Sequence, residues 1–210
     1  MTKREKLLRC LELNGDGEIF SSVSIAWTVW EKHLEFFQEK VKKCPHVSIS
    51  GGKDETRRAG KKVRDKWGCL WIYPMDYLDG QVIEHPLDDW SKLQYYVAPD
   101  PEEYTDWEKA KKDVQDAKSK GILASGGIDH GFFFLLLTYL RGYENAMIDF
   151  AEDNKNLHQL IEIIENYWMK VIEKWINIGV DFIGFGDDLG LQHSLPISPN
   201  AWRKYIKPSY

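Results

Sequence analysis

The chain has little cysteine, no long apolar run and no concentration of positive charge, and each of these absences removes a class of protein. Its three cysteines, Cys10, Cys44 and Cys69, are odd in number, widely spaced and in no Cys-x-x-Cys pair. That is the pattern of reduced thiols in the cytosol, not of a disulfide framework. The longest apolar run, Phe132–Leu137, is far shorter than the roughly 18 residues a bilayer span requires. The opening Met-Thr-Lys-Arg-Glu-Lys leads into no apolar signal core, so a cytoplasmic protein without a membrane role is expected. The 28 basic residues, against 33 acidic ones, are dispersed, and no basic stripe marks a nucleic-acid surface.

What is present is apolar bulk. With 43% hydrophobic residues and nine tryptophans in 210, the composition suits a single globular domain over residues 1–210 with a large core. Thr2 and Glu5 have capping-box spacing ahead of Leu7, Leu8 and Leu11, which predicts a short opening helix. Leu34, Phe37, Val41 and Cys44 recur at helical spacing until Pro45, where a residue without an N–H ends the helix. The segment before them, Glu18–Val29, alternates loosely and holds the first strand. Trp67–Tyr73 reads as extended, and Glu84–Glu103, with three prolines among polar neighbours, as a surface excursion.

Trp107, Ala110, Val114 and Ala117 share one helical face, closed by Gly121. A strand opens at Ile122, the apolar run from Phe132 is a buried helix, and Tyr143–Ala151 is a second helical piece. The strongest periodicity is Leu157, Leu160, Ile161, Ile164, Tyr167, Trp168, Val171, Ile172 and Trp175, with Asp153 or Asn154 as N-cap and Gly179 as the stop. Strand Val180–Phe185 follows, and Ser198-Pro199 starts a last helix with a hydroxyl cap and proline in its first turn.

Strands alternating with helices predict a parallel α/β sheet, closed as a barrel or open and doubly wound. About four strand-helix units are legible, whereas a TIM (β/α)8 barrel has eight. The chain is therefore expected to be the N-terminal part of a barrel, incomplete at its C-terminus, with exposed sheet edges. In such barrels the reacting groups sit at the carboxyl ends of the strands, which singles out Asp187 and Asp188 at the end of Val180–Phe185.

Five segments, Asp65-Lys-Trp-Gly-Cys-Leu-Trp, His85-Pro-Leu-Asp-Asp-Trp, Tyr139-Leu-Arg-Gly-Tyr-Glu-Asn, Phe185-Gly-Asp-Asp-Leu-Gly and Ile197-Ser-Pro, together resemble the uroporphyrinogen decarboxylase superfamily. The similarity runs in order over most of the 210 residues. It implies a TIM barrel of that type and one of two chemistries: metal-free decarboxylation of uroporphyrinogen III in porphyrin and heme synthesis, or methyl transfer to or from a corrinoid (cobalamin) or coenzyme M, with zinc activating a thiol.

Decarboxylases of the superfamily carry an early Arg-Gln-Ala-Gly-Arg motif that grips substrate carboxylates, yet Ile19–Trp30 contains no arginine, and Arg57-Arg58-Ala59-Gly60 lies downstream of that region. They also have Gly-Ala-Pro where this chain has His130-Gly131-Phe132. Both departures favour a corrinoid-linked methyltransferase acting on a small methylated substrate, with a corrinoid protein as partner. The superfamily's zinc motif, His-x-Cys with a later Cys, does not occur, so no metal ligand is named. Uroporphyrinogen decarboxylation is the alternative. A third reading is a non-catalytic chain that binds a tetrapyrrole or partner, or forms a homo-oligomer, through its open edges.

The resemblance and the strand-end position together nominate residues. Asp187 and Asp188 are candidate acid or substrate anchor, since two close carboxylates raise one another's pKa, with loop capping as the alternative for one of them. Tyr139 matches the tyrosine of the decarboxylase Thr-Tyr-Met motif and is either a substrate-facing hydroxyl or core. His130, after glycines at a strand end, is a mouth candidate. His193 is a proton shuttle or a solvated loop histidine. Asp65 is a pyrrole N–H acceptor or a cap, and Arg141 holds a substrate carboxylate or pairs with Glu144 or Asp149.

Overall fold

The computed structural model describes residues 1–15, 17, 23–43, 47–50 (backbone only) and 54–210. It is a mixed α/β chain whose strands form three small separate sheets, of two, three and two strands. Among the described residues no sheet closes into a barrel, and in place of the one parallel sheet of an incomplete barrel the strands are divided among three. The parallel pairs are only three or four residues long and each is satisfied by a single neighbour. The described residues fall into two compact units, one of residues 1, 5–63 and 71–81, the other of residues 2–4, 64–70 and 82–210.

The chain opens with α1 (Lys3–Leu11). In the first unit β1 (Val23–Ala26) lies parallel to β2 (Val47–Ser50), in the register Val23↔Val47 to Ala26↔Ser50. Parallel neighbours need a crossover, here α2 (Trp27–Lys32) and α3 (Leu34–Lys43). Trp30 is buried and stacks on Phe37 with ring centres 5.4 Å apart. Lys40, Lys42 and Lys43 gather in the last turn of α3, where positive charge complements the helix dipole. The predicted stop at Pro45, and residues 18–22 of the predicted first strand, lie outside the described residues. Arg57 pairs with Asp79 at 2.7 Å and Arg58 with Asp76 at 3.1 Å, so both guanidinium groups of the Arg-Arg-Ala-Gly segment are engaged by carboxylates of their own unit.

Three short strands, β3 (Lys62–Arg64), β4 (Leu70–Ile72) and β5 (Gln81–Glu84), hydrogen-bond in that order. β4 lies inside the segment predicted as extended. Trp67 and Gly68 instead form a turn, with the Gly68 N–H donating to the Asp65 carbonyl at 3.1 Å and Gly68 at φ +88°.

In the second unit the stretch 84–103 runs largely along the surface, as its prolines suggest, but sets two leucines into the core. Leu87 is wholly buried and Leu93 nearly so, the Leu87 N–H donates to the Leu140 carbonyl at 2.9 Å, and two 3-10 turns, Trp90–Tyr95 and Pro101–Glu103, give the stretch form. Then come α4 (Trp107–Ser119), capped by Asp106 on the Lys109 N–H, β6 (Ser125–Gly127), α5 (Phe134–Arg141), α6 (Tyr143–Glu152), α7 (Lys155–Ile178) and β7 (Phe182–Gly184). A short α8 (Pro199–Ala201), capped by Ser198, runs on into a widened π turn, Trp202–Ile206.

The core of this unit is the apolar stripe of α7, Leu157, Leu160, Ile161, Ile164, Tyr167, Trp168 and Val171, together with Phe133, Phe134, Leu137 and Leu140. The stripe is what the period predicts. Asn154 caps the start of α7 by accepting from the Asn156 N–H at 3.0 Å, and Gly179, at φ +86°, ends it. Even this 24-residue helix is not long and apolar enough to cross a membrane, and no other helix among the described residues is.

Two polar contacts fasten the unit. The Arg141 side chain, buried between α5 and the 84–90 segment, donates from Nε to Asp149 Oδ2 at 2.7 Å and from Nη1 to the Leu87 carbonyl at 2.9 Å and to the Asp88 carbonyl. Asp149 also accepts from Trp90 Nε1 at 3.0 Å and Asn154 Nδ2 at 2.9 Å. Arg4 donates to the Asp181 carboxylate, from Nε at 2.9 Å, and the Ala124 N–H adds a bond of the same length. The Arg4 guanidinium, with smaller help from the Ala124 N–H, holds the Asp181 carboxyl down at about 2.

Because Arg141 and Asp149 are both buried, removing one partner strands the other. Asp149→Ala should lower unfolding stability by about 3–5 kcal/mol, measured by urea denaturation, while exposed Glu162→Ala should stay within about 0.5 kcal/mol. Equal effects would show that the pair carries no stability. The depressed Asp181 pKa means its contribution is complete above the ordinary carboxylate value and is lost as pH falls towards 2. The fall in stability of the wild type between pH 4 and pH 2 should therefore be steeper than that of Asp181→Asn.

Candidate functional site

β6 and β7 are parallel neighbours, Ser125 opposite Phe182, Gly126 opposite Ile183 and Gly127 opposite Gly184. The backbone pairing runs on past both strands. Asp181 N–H donates to the Ala124 carbonyl at 2.7 Å, Ile128 N–H to Gly184 at 3.1 Å and Gly131 N–H to Gly186 at 2.8 Å. The glycines of β6 are needed for packing, since a Cβ on Gly126 would lie 2.6 Å from the Trp175 ring, whose Nε1 donates to the Gly127 carbonyl at 2.8 Å. Residues 128–131 and 185–188 thus leave the sheet together at its carboxyl end.

There the two adjacent aspartates have different surroundings. The Asp187 carboxylate caps α5 from another element: Oδ2 accepts from the Phe133 N–H at 3.2 Å and the Phe134 N–H at 2.5 Å, and Oδ1 from the Leu135 N–H at 3.2 Å. It also receives the Asp188 N–H at 2.9 Å and the Tyr210 hydroxyl at 3.1 Å. Burial first, and then Asp187, push the Tyr210 phenol up. A helix start presents unpaired N–H groups and positive potential, and the Asp187 side chain answers both. Asp188 instead is solvent-facing, with one oxygen 3.7 Å from His130 Nε2.

His130 is exposed and rests against Gly186, where a Cβ would come within 3.0 Å of its Cδ2. Gly131, at φ +75°, makes the turn that carries the chain into α5. The preceding residue, Asp129, accepts from the Tyr104 hydroxyl at 3.1 Å and lies 3.8 Å from Lys66 Nζ.

The other nominated residues lie apart from this pair. The Asp65 carboxylate accepts the Cys69 N–H at 2.9 Å and so organises the β3–β4 turn. The carbonyl of half-buried Tyr139 is bonded by His85 Nδ1 at 2.7 Å and Cys69 Sγ at 3.4 Å. Arg141 is engaged in the buried network described above, with Asp149 as its carboxylate. His193 is exposed in the 189–197 loop, and among the described residues no hydrogen bond or ion pair joins it to His130 or Asp188. Asp129, Lys66 and Tyr104 were not singled out from sequence, because only the fold brings residues so distant in sequence together.

A cavity of about 330 Å3 lies elsewhere, lined by Thr105, Lys109, Asp113, Val114, Ser125 and Trp175 among others. It opens on the α4 side, where β6 begins, and holds no nucleophile–base pair, so the strand-end cluster is the better candidate. Among the described residues no group of three or more His, Cys, Asp or Glu could hold a metal ion. Cys69 is fully buried and burial pushes its thiol well up, which unfits it as a thiolate ligand. No family model, curated protein or solved structure matches this chain.

The division between the aspartates is open to direct measurement. Asp187→Ala should destabilise the protein by about 1–2 kcal/mol through loss of the helix cap, and Asp188→Ala by no more than about 0.5 kcal/mol, both read from urea unfolding. The reverse order would overturn the assignment.

Proposed function

We propose that the carboxyl ends of β6 and β7 form an acid-assisted group-transfer site, and that the chain is a uroporphyrinogen decarboxylase-like methyltransferase acting on a small methylated substrate with a corrinoid protein as methyl acceptor. The observation that carries the reading is the exposed His130–Asp188 pair, 3.7 Å apart at the ends of two parallel strands. Two further observations support it. Each unit contains a parallel strand pair with a helical crossover, the building block of a TIM-type barrel, and the five family-like segments occur in order.

The chemistry asked of the pair is modest. When the methyl–heteroatom bond breaks, its electron pair stays on the oxygen, nitrogen or sulfur, which is a poor leaving group unless protonated. The His130 imidazolium donates the proton from Nε2, with the Asp188 carboxylate 3.7 Å away beside the ring. The neutral imidazole then recovers a proton from water. Asp187, holding the start of α5, keeps residues 185–188 and 131–135 in place and donates nothing. The described residues do not supply a zinc site, so no step is assigned to that metal. His193, Tyr139, Asp65 and Arg141 are given no part in proton transfer. Asp65 and Arg141 have structural partners, the Tyr139 carbonyl is taken by His85 and Cys69, and among the described residues no hydrogen bond or ion pair joins His193 to the pair.

The test is anaerobic incubation of the protein with reduced corrinoid and a panel of small methyl ethers, amines and thioethers, following formation of methylated corrinoid. Wild type should turn over at least one donor. Asp188→Asn and His130→Gln should each slow it by roughly 10²–10⁴-fold with unchanged circular dichroism. Unaltered rates in both variants would remove the pair from the mechanism. Conversion of uroporphyrinogen to coproporphyrinogen under the same conditions would replace methyl transfer by decarboxylation.

A further inference from the structure

Beside the His130–Asp188 pair, and unused by it, an ammonium lies over two aromatic rings. Lys66, in the turn between β3 and β4, places Nζ 4.5 Å from the centre of the Tyr104 ring and 5.8 Å from that of Tyr167. Trp67 and Trp168 back the Tyr167 ring, with ring centres 4.7 Å and 4.8 Å away, and Tyr104 meets Trp168 edge-on at 5.7 Å. Trp67, Tyr167 and Trp168 are all at least 95% buried, so these walls are fixed. Asp129 adds a carboxylate 3.8 Å from the ammonium and takes the Tyr104 hydroxyl at 3.1 Å.

Ring faces carry negative potential and attract a cation placed over them, most strongly where water is displaced. Burial first, and then Asp129, push the Tyr104 and Tyr167 phenols up, so both stay uncharged beside the cation. The Tyr167 hydroxyl is buried and makes no hydrogen bond among the described residues, so a polar ligand atom entering beside it finds a donor the chain itself leaves unused.

We propose that Lys66, Tyr104, Tyr167 and Asp129 frame a recognition site for the methylated ammonium group of a small ligand, with the Lys66 ammonium as its internal occupant. Lys66 is an occupant that can leave. Its side chain is 37% exposed, and its carboxylate partner is 54% exposed, so their pairing in water is weak. A methylated ammonium is larger and less hydrated than a lysine ammonium. It gives up less water on entering between the rings and covers more of their faces. The site adjoins the acid–base pair because Asp129 precedes His130 in the chain. The inference goes beyond the proposed methyl transfer and does not depend on it.

The test reads binding alone. Choline is titrated into the full chain by calorimetry, with 3,3-dimethylbutan-1-ol as its uncharged counterpart of like shape. Lys66→Met keeps the length of the side chain and removes its charge, and should bind choline at least tenfold more tightly than wild type. The alcohol should bind Lys66→Met at least tenfold more weakly than choline does, and adding Asp129→Asn should weaken choline roughly tenfold. Lys66→Gln replaces Lys66→Met if the latter unfolds. Choline binding no tighter when Lys66 is replaced, or equal binding of the alcohol, overturns the proposal. Neither result bears on turnover.

Discussion

One carboxylate, that of Asp187, holds three consecutive backbone N–H groups at the start of α5 and so ties the segment after β7 to the helix that follows β6. Without it the positive end of α5 would face the strand ends with its donors unpaired. The Gly131 N–H closes the same region from the other side, on the Gly186 carbonyl. Between these clamps there is little freedom for residues 128–131 or 185–188. The positions of His130 and Asp188 follow from this restraint more than from any contact of their own.

That arrangement gives two neighbouring aspartates opposite work. Asp187 accepts five hydrogen bonds, from Phe133, Phe134, Leu135, Asp188 and Tyr210, and both its oxygens are thereby committed to holding the helix start. Asp188, one residue on, has its N–H committed to Asp187 and its carboxylate free to face the imidazole. Next to this pair the buried aromatic wall of Tyr167, Trp67 and Trp168 supplies an apolar surface with a cation already lying against it. The two proposed roles, proton transfer and cation recognition, thus fall on the adjacent residues 130 and 129.

Much of this was legible in the sequence where one local force decides the outcome. The stripe of α7, its Asn154 cap and its Gly179 stop are set by period and by the φ a glycine permits. The strand before Asp187, the buried helix after Gly131 and the proline start at Ser198-Pro199 follow in the same way. β3, of three residues, and β5, of four, were not legible, since neither is long enough for its alternation to stand out. The prolines of 84–103 marked a surface path but not its buried anchor Leu87, whose N–H bonds the Leu140 carbonyl far along the chain. Alternation pointed to a parallel sheet, as part of a barrel or open, but alternation does not say how many strands pair, and the described strands divide among three small sheets. The site was half legible: a strand ending in two aspartates marks a place, but only the approach of α5 decides which of them caps. The meeting of Lys66 with Asp129 and Tyr104 depends on folding across tens of residues and left no local signal.

The central claim is that His130 and Asp188 act as one acid. A double-mutant cycle on turnover tests it most directly, comparing His130→Gln, Asp188→Asn and the double variant in the same anaerobic methyl-transfer assay. Groups acting as a unit give non-additive losses, so the double variant should be about as slow as His130→Gln alone. A double variant whose loss equals the product of the two single losses would contradict the account and make them independent residues.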